Sequence, residues 1–134
     1  MKKIFFLSWL LITFMSEVQA QTKVVMHLQT ADTLVYRALV NQVNNMKKEI
    51  PDAAISIVCH GPGMNFILKE NATYINLIQK QQHNHVEFVG CDFTMQQRNI
   101  KKEALVDYAK TVSYAMVEII KMQQAGAIYV KLGF

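Results

Sequence analysis

Ala54-Ile55-Ser56-Ile57-Val58-Cys59 is a short, mostly apolar run closed, after His60, by the breakers Gly61-Pro62-Gly63. A run this short, rich in β-branched residues and closed by Gly and Pro, suits a buried strand rather than a helix. The same contrast extends in both directions. Upstream, Lys23 to Leu28 is another β-rich run. Between the two, Asp32 to Glu49 places Leu34, Val35, Ala38, Leu39, Val43 and Met46 at helical spacing, with Thr30 or Asp32 as cap and Pro51 just beyond the end. Downstream, a helix is expected from Met64, interrupted near Asn71 and resuming through Ile75, Leu77 and Ile78 to Gln82. Val86-Glu87-Phe88-Val89 reads as a third strand ending at Gly90-Cys91. Thr94 to Asn99 and Lys101 to Val106 read as short helical pieces, and Thr111-Val112-Ser113 as a weak fourth strand. Ala115 to Gln124 reads as a helix with Met116, Ile119 and Ile120 on one face, stopped by Gly126. Ala127 to Lys131 is the last strand.

Strands separated by helical crossovers pair in parallel, and right-handed crossovers cover the sheet on both faces. The expected fold is therefore α/β, a three-layer α/β/α sandwich with a five-stranded, mostly parallel sheet.

Composition fits this reading. The chain has 134 residues, 51% hydrophobic and 18% charged, with 14 Lys+Arg against 10 Asp+Glu. That excludes an intrinsically disordered chain, and 2 Cys exclude a disulfide-built miniprotein. Lys2 and Lys3, the apolar run Ile4 to Met15 and the small-residue ending Val18-Gln19-Ala20 read as a signal peptide over residues 1–20, cleaved before Gln21. The run is too short for a membrane span, which takes about 20 residues. Residues 21–134 are then one exported domain, periplasmic or secreted, with no membrane partner after cleavage. Lys2, Lys3 and Glu17 leave with the signal, which takes the +4 of the full chain to +3. That charge forms no basic stripe, so nucleic acid is not an expected partner.

Ligands of open parallel sheets bind outside the carboxyl ends of the strands. Those ends hold Gln29, Thr30 and Asp32, then Cys59 to Gly63, then Cys91-Asp92, then Ser113-Tyr114. Cys91 passes from a strand into a helical turn, where unpaired N–H groups stabilise a thiolate. It is the candidate sulfur acceptor. Cys59, on a neighbouring strand, is a candidate resolving thiol or disulfide partner if both side chains share a face; on opposite faces no disulfide forms. His60 is a candidate proton donor, and the N–H groups of Gly61 and Gly63 are candidates for holding a small anion. The turn matches neither a Walker loop nor a dinucleotide fingerprint, so no cofactor is expected. His83-Asn84-His85 lacks a nearby carboxylate or Cys and is not read as a metal site. Asn71-Ala72-Thr73 fits a glycosylation acceptor.

Three segments carry a family resemblance: IVCHGPGMNFILKEN (57–71), VEFVGCDFTMQQRNIKKEALV and VEIIKMQQAGAIYVK. Together with KVVMHLQTADTLVYRALVNQVNNMKK they span nearly all of the chain after residue 20. The chain resembles the DsrE/DsrF-like proteins, small α/β/α domains linked to sulfur relay. The matching features are His60 to Gly63, the strand Phe88 to Cys91, the pair Thr94-Met95, and Gly126 with Tyr129. The resemblance implies a five-stranded sheet, homo-oligomers such as trimers or hexamers, and Cys91 as a persulfide carrier between a sulfur-donor and a sulfur-acceptor protein. Any activity is at most cysteine-dependent sulfur transfer. The other reading is a non-catalytic module that binds a small ligand or partner in the strand-end cleft, with Thr94 and Tyr114 among its lining residues.

Overall fold

The computed structural model describes residues 20–79 and 85–133. The signal-peptide reading and His83 lie outside these residues, apart from Ala20. The strands are β1 (Lys23–Leu28), β2 (Ala54–Cys59), β3 (Val86–Cys91), β4 (Lys110–Val112) and β5 (Ile128–Leu132). They form one sheet in the order β4-β3-β2-β1-β5, and every neighbouring pair is parallel. The helices are α1 (Thr33–Glu49), α2 (Ala72–Gln79), α3 (Asp92–Gln97) and α4 (Ala115–Gln124).

Register decides which side chains share a face. Leu28 pairs with Cys59, Met26 with Ile57, Ile57 with Phe88, and Val58 with Val89. Because side chains alternate along a strand, Met26, Leu28, Ile57, Cys59 and Phe88 point one way. Val25, His27, Val58, Val89 and Cys91 point the other. Tyr36 of α1 and Phe66 meet edge-on at 5.0 Å on the first face, and Phe66 reaches Phe88 at 6.3 Å. Leu39 and Val43 of α1 are fully buried there, each worth about 1.5–3 kcal/mol of transfer energy. Asp32 starts α1 by accepting the Leu34 N–H at 2.8 Å, a cap worth about 1 kcal/mol. Lys47 fastens the other end, donating from its buried Nζ to the carbonyls of Pro51 and, at 2.8 Å, Ala53.

The second face is covered by α4, which buries Ala115 and Ile119. Met116 and Ile120, expected on the same face as Ile119, are instead 47% and 52% exposed, because one short helix turns only its innermost residues to the sheet.

Two segments differ from the expected helices. Gly61–Ile67 is a 3₁₀ helix, followed by a 3₁₀ turn at Lys69–Asn71 before α2 begins at Ala72. Pro62 opens the first segment, and the extended backbone of Leu68 breaks it from the second (φ −76°, ψ 146°). Leu68 makes an antiparallel bridge with Leu105. The same bridge shortens the expected Lys101 to Val106 helix to a 3₁₀ turn at Lys102–Ala104. Among the described residues, no helix is long and apolar enough to cross a membrane.

Candidate functional site

Cys91 closes β3 and N-caps α3. Its sulfur lies where several donors converge. The Ala115 N–H at the start of α4 reaches Sγ at 3.4 Å. The Thr94 hydroxyl and the start of α3 lie close enough to favour the charged form as well, although the Phe93 N–H itself is bonded to the Ser113 carbonyl at 3.2 Å and no amide of α3 caps onto the sulfur. Burial alone pushes the thiol up, since the residue is 2% exposed; these hydrogen bonds outweigh it and hold the thiol below its ordinary value. The thiol is thus lowered by neutral donors, while the Ser113 carbonyl, 3.9 Å from Sγ, stands ready to accept its proton.

Thr94 links this sulfur to the glycine turn. Its Oγ1 accepts the Gly61 N–H at 3.2 Å, which leaves the hydroxyl proton for Cys91. Gly61 sits at φ +53°, in the left-handed region that favours glycine. Arg98, just after α3, donates to the Gly61 carbonyl at 3.0 Å and to Asn65 Oδ1 at 2.9 Å, bracing the turn from outside. Gly63 is pressed against β1, where an added Cβ would stand 2.1 Å from the Leu28 carbonyl oxygen.

These contacts correct the expected anion cradle. The Gly61 N–H is held by Thr94 and the Gly63 N–H by the His60 carbonyl at 3.0 Å, so neither amide of the turn points at a ligand. The glycines shape the support of Cys91 instead.

Cys59 has a different environment. Continuing the β2–β3 register places Cys59 abreast of Gly90 and His60 abreast of Cys91. Cys59 therefore lies on the α1 face and Cys91 on the α4 face, and both thiols are free. Sequence reading left the shared-face and opposite-face alternatives open, and the register selects the second. Cys59 is fully buried, and burial pushes its thiol up. That geometry does not bring it to Cys91 as a resolving thiol.

His60 is on the same face as Cys91, one strand away, but its ring bonds Gln29: the Gln29 side-chain nitrogen lies 3.2 Å from His60 Nδ1. Tyr114 is 58% exposed and packs on Phe93 at 5.8 Å between ring centres. It borders an open groove of about 510 Å³ between β4 and α4, with Asp92, Ser113, Val117, Glu118 and Lys121 along the walls.

The model of the DsrE/DsrF-like family matches residues 19–132. The chain belongs to the DsrE/DsrF-like family. No curated protein matches the sequence. Among solved structures, MTH1491 of Methanobacterium thermoautotrophicum, a protein of unknown function, is similar with a TM-score of 0.76 at 21% identity. The match covers 83% of this chain and 99% of that one, and it shows the same fold.

In this DsrE/DsrF-like protein the structure adds residues that sequence reading passed over. Ala115 acts on Cys91 through its backbone, for which no side-chain signal exists. His27 is 3% exposed in β1, with Nδ1 3.0 Å from the Tyr129 hydroxyl. A histidine inside the apolar run Lys23 to Leu28 was a signal available in the sequence.

Proposed function

We propose that this chain is an exported DsrE-like sulfur carrier, periplasmic or secreted, in which Cys91 accepts and passes on a sulfane sulfur. The observation that carries the reading is the set of donors around Cys91, which favours the thiolate that such chemistry requires. The Cys91 thiolate attacks the outer sulfur of a donor persulfide. A new S–S bond forms to Cys91, the donor's S–S bond breaks, and the donor leaves as a thiolate; nothing is oxidised or reduced overall. Transfer to an acceptor runs the same exchange, with the Cys91 thiolate as leaving group, which the same donors stabilise. Low exposure of Cys91 restricts its partners to slender sulfur chains.

The chain assembles as a homo-oligomer in this reading. Met116, Val117 and Ile120 leave an apolar stripe on the outer side of α4, which a second copy would cover. The groove beside Tyr114 supports the alternative, a binding module whose partner docks there whether or not Cys91 is present.

The test is peptide mapping by mass after exposure to polysulfide. The carrier reading expects an adduct of about 32 Da on Cys91 that is lost in Cys91→Ser. An inert Cys91 in the reduced protein would leave the binding module as the better account.

A further inference from the structure

Beside Cys91 on the same face of the sheet, the rings of His27 and His60 stand 5.9 Å apart. Each ring has its Nδ1 engaged, His27 by the Tyr129 hydroxyl and His60 by the Gln29 amide nitrogen. An amide nitrogen only donates, so Nδ1 of His60 is an acceptor and its proton sits on Nε2. With the Tyr129 hydroxyl as the donor to Nδ1, His27 takes the same tautomer. The sheet order β5-β1-β2 puts Tyr129 and His60 on opposite flanks of His27. The two nitrogens of an imidazole diverge, so with Nδ1 directed to β5 the Nε2–H of His27 turns to the side where His60 stands. That Nε2 is buried and has no hydrogen-bond partner among the described residues. An unsatisfied buried donor is destabilising, and an acceptor placed there relieves that cost.

The charge around this donor has one sign. Lys131 pairs with His27 across β1 and β5 and brings a basic side chain to this strand pair, with the His60 ring as the other neighbour. Burial first, and these two neighbours next, hold His27 below the usual histidine range, so it meets a ligand as a neutral N–H donor. Two N–H donors and an ammonium suit an anion and not a metal cation, which needs bare nitrogen lone pairs.

We infer that His27 and His60, held by Tyr129 and Gln29, bind the oxyanion end of a small inorganic sulfur donor of the thiosulfate type and present its outer sulfur to Cys91. This names the substrate class of the carrier reading and rests on it. Adjacent strands are about 4.8 Å apart, so an anion at His60 lies one strand spacing from the Cys91 position. The step balances without a further reagent. The Cys91 thiolate attacks the outer sulfur, the S–S bond of thiosulfate breaks with its electron pair leaving on sulfite, and Cys91 becomes a persulfide anion. His27 and His60 stabilise the sulfite as it leaves.

The test separates binding from transfer. Binding is measured calorimetrically with thiosulfate on the Cys91→Ser protein, which cannot react. The inference expects saturable binding, competed by sulfite, and weakened about tenfold or more when His27→Phe or His60→Ala is added. Tyr129→Phe, which removes only a hydroxyl near the surface, is expected to weaken it in the same direction and serves if His27→Phe does not fold. Wild-type protein with thiosulfate is expected to gain about 32 Da on Cys91 and release sulfite. Absence of binding, or equal binding in the histidine and tyrosine variants, overturns the inference. Polysulfide, which has no oxyanion end, still loads Cys91 in that case if the carrier reading is sound, so the two failures are distinguishable.

Discussion

Thr94→Val removes one hydroxyl while keeping the shape of a residue that is 2% exposed, and it tests why Cys91 is activated. The hydroxyl does two things: Oγ1 accepts the Gly61 N–H at 3.2 Å, and its proton goes to the Cys91 sulfur. A hydrogen bond to a charged group contributes about 1.5–3 kcal/mol. Sulfur is a large, soft acceptor, and the Ala115 amide stays in place, so the low end applies, about 1.5 kcal/mol. That corresponds to about a tenfold smaller thiolate fraction at neutral pH. The assay is the rate of Cys91 alkylation by iodoacetamide, read by peptide mapping across pH. The rate at pH near 7 is expected to fall about tenfold, while the plateau at high pH stays, because the thiolate itself is unchanged. Stability follows the same sign. A thiol held below the ordinary 9.0 in the folded protein adds stability above that value, and this is lost as pH falls through the folded-state value. Thr94→Val should therefore cost more at alkaline than at acid pH, on top of a pH-independent cost of about 1 kcal/mol for the orphaned Gly61 N–H. An unchanged alkylation midpoint, with the same stability loss at every pH, would refute this explanation of Cys91.

Three further expectations concern the scaffold. Gly63→Ala drives a Cβ to 2.1 Å from the Leu28 carbonyl oxygen, and urea unfolding should show a loss of about 3 kcal/mol or more. Burial pushes Glu87 up, but hydrogen bonds from Lys110 at 2.7 Å and Ser56 at 2.6 Å outweigh it, so its carboxyl lies below the ordinary 4.5. Its contribution is present above 4.5 and lost as pH falls through the folded-state value; Glu87→Gln should flatten that part of the acid limb by less than about 1 kcal/mol, because the pair is partly solvated. Ile120→Glu on the outer side of α4 should reduce the mass seen by light scattering to that of a monomer without lowering Cys91 alkylation; an unaltered mass would place the assembly interface elsewhere.

The strands and α1 were legible because their signals are local: apolar runs closed by Gly and Pro, helical spacing between Leu34 and Met46, and an Asp at the cap. The segment after Gly61 was not. Its 3₁₀ form follows from Gly63 meeting Leu28 and from Leu68 being drawn into a bridge with Leu105, contacts between residues far apart in sequence. The position of Cys91 at a strand end was legible, and the route to its thiolate was only partly so. A helical turn after the strand was expected to supply N–H donors, but the Phe93 N–H goes to the Ser113 carbonyl and the amide that reaches the sulfur, that of Ala115, arrives from α4. The relation of Cys59 to Cys91 hung on register. Both cysteines end strands, but Cys59 falls abreast of Gly90, and that offset of one residue sends them to opposite faces. The glycine turn illustrates the converse, since its residues were singled out correctly as special while their N–H groups proved to be engaged within the protein.

A carrier holds one transferable sulfur on Cys91. Protein loaded with polysulfide and freed of excess reagent should be challenged with cyanide, which takes the outer sulfur as thiocyanate and returns the Cys91 thiolate. The expected yield is one thiocyanate per chain and none from Cys91→Ser. No thiocyanate from the wild type, or equal yields from both proteins, would contradict it.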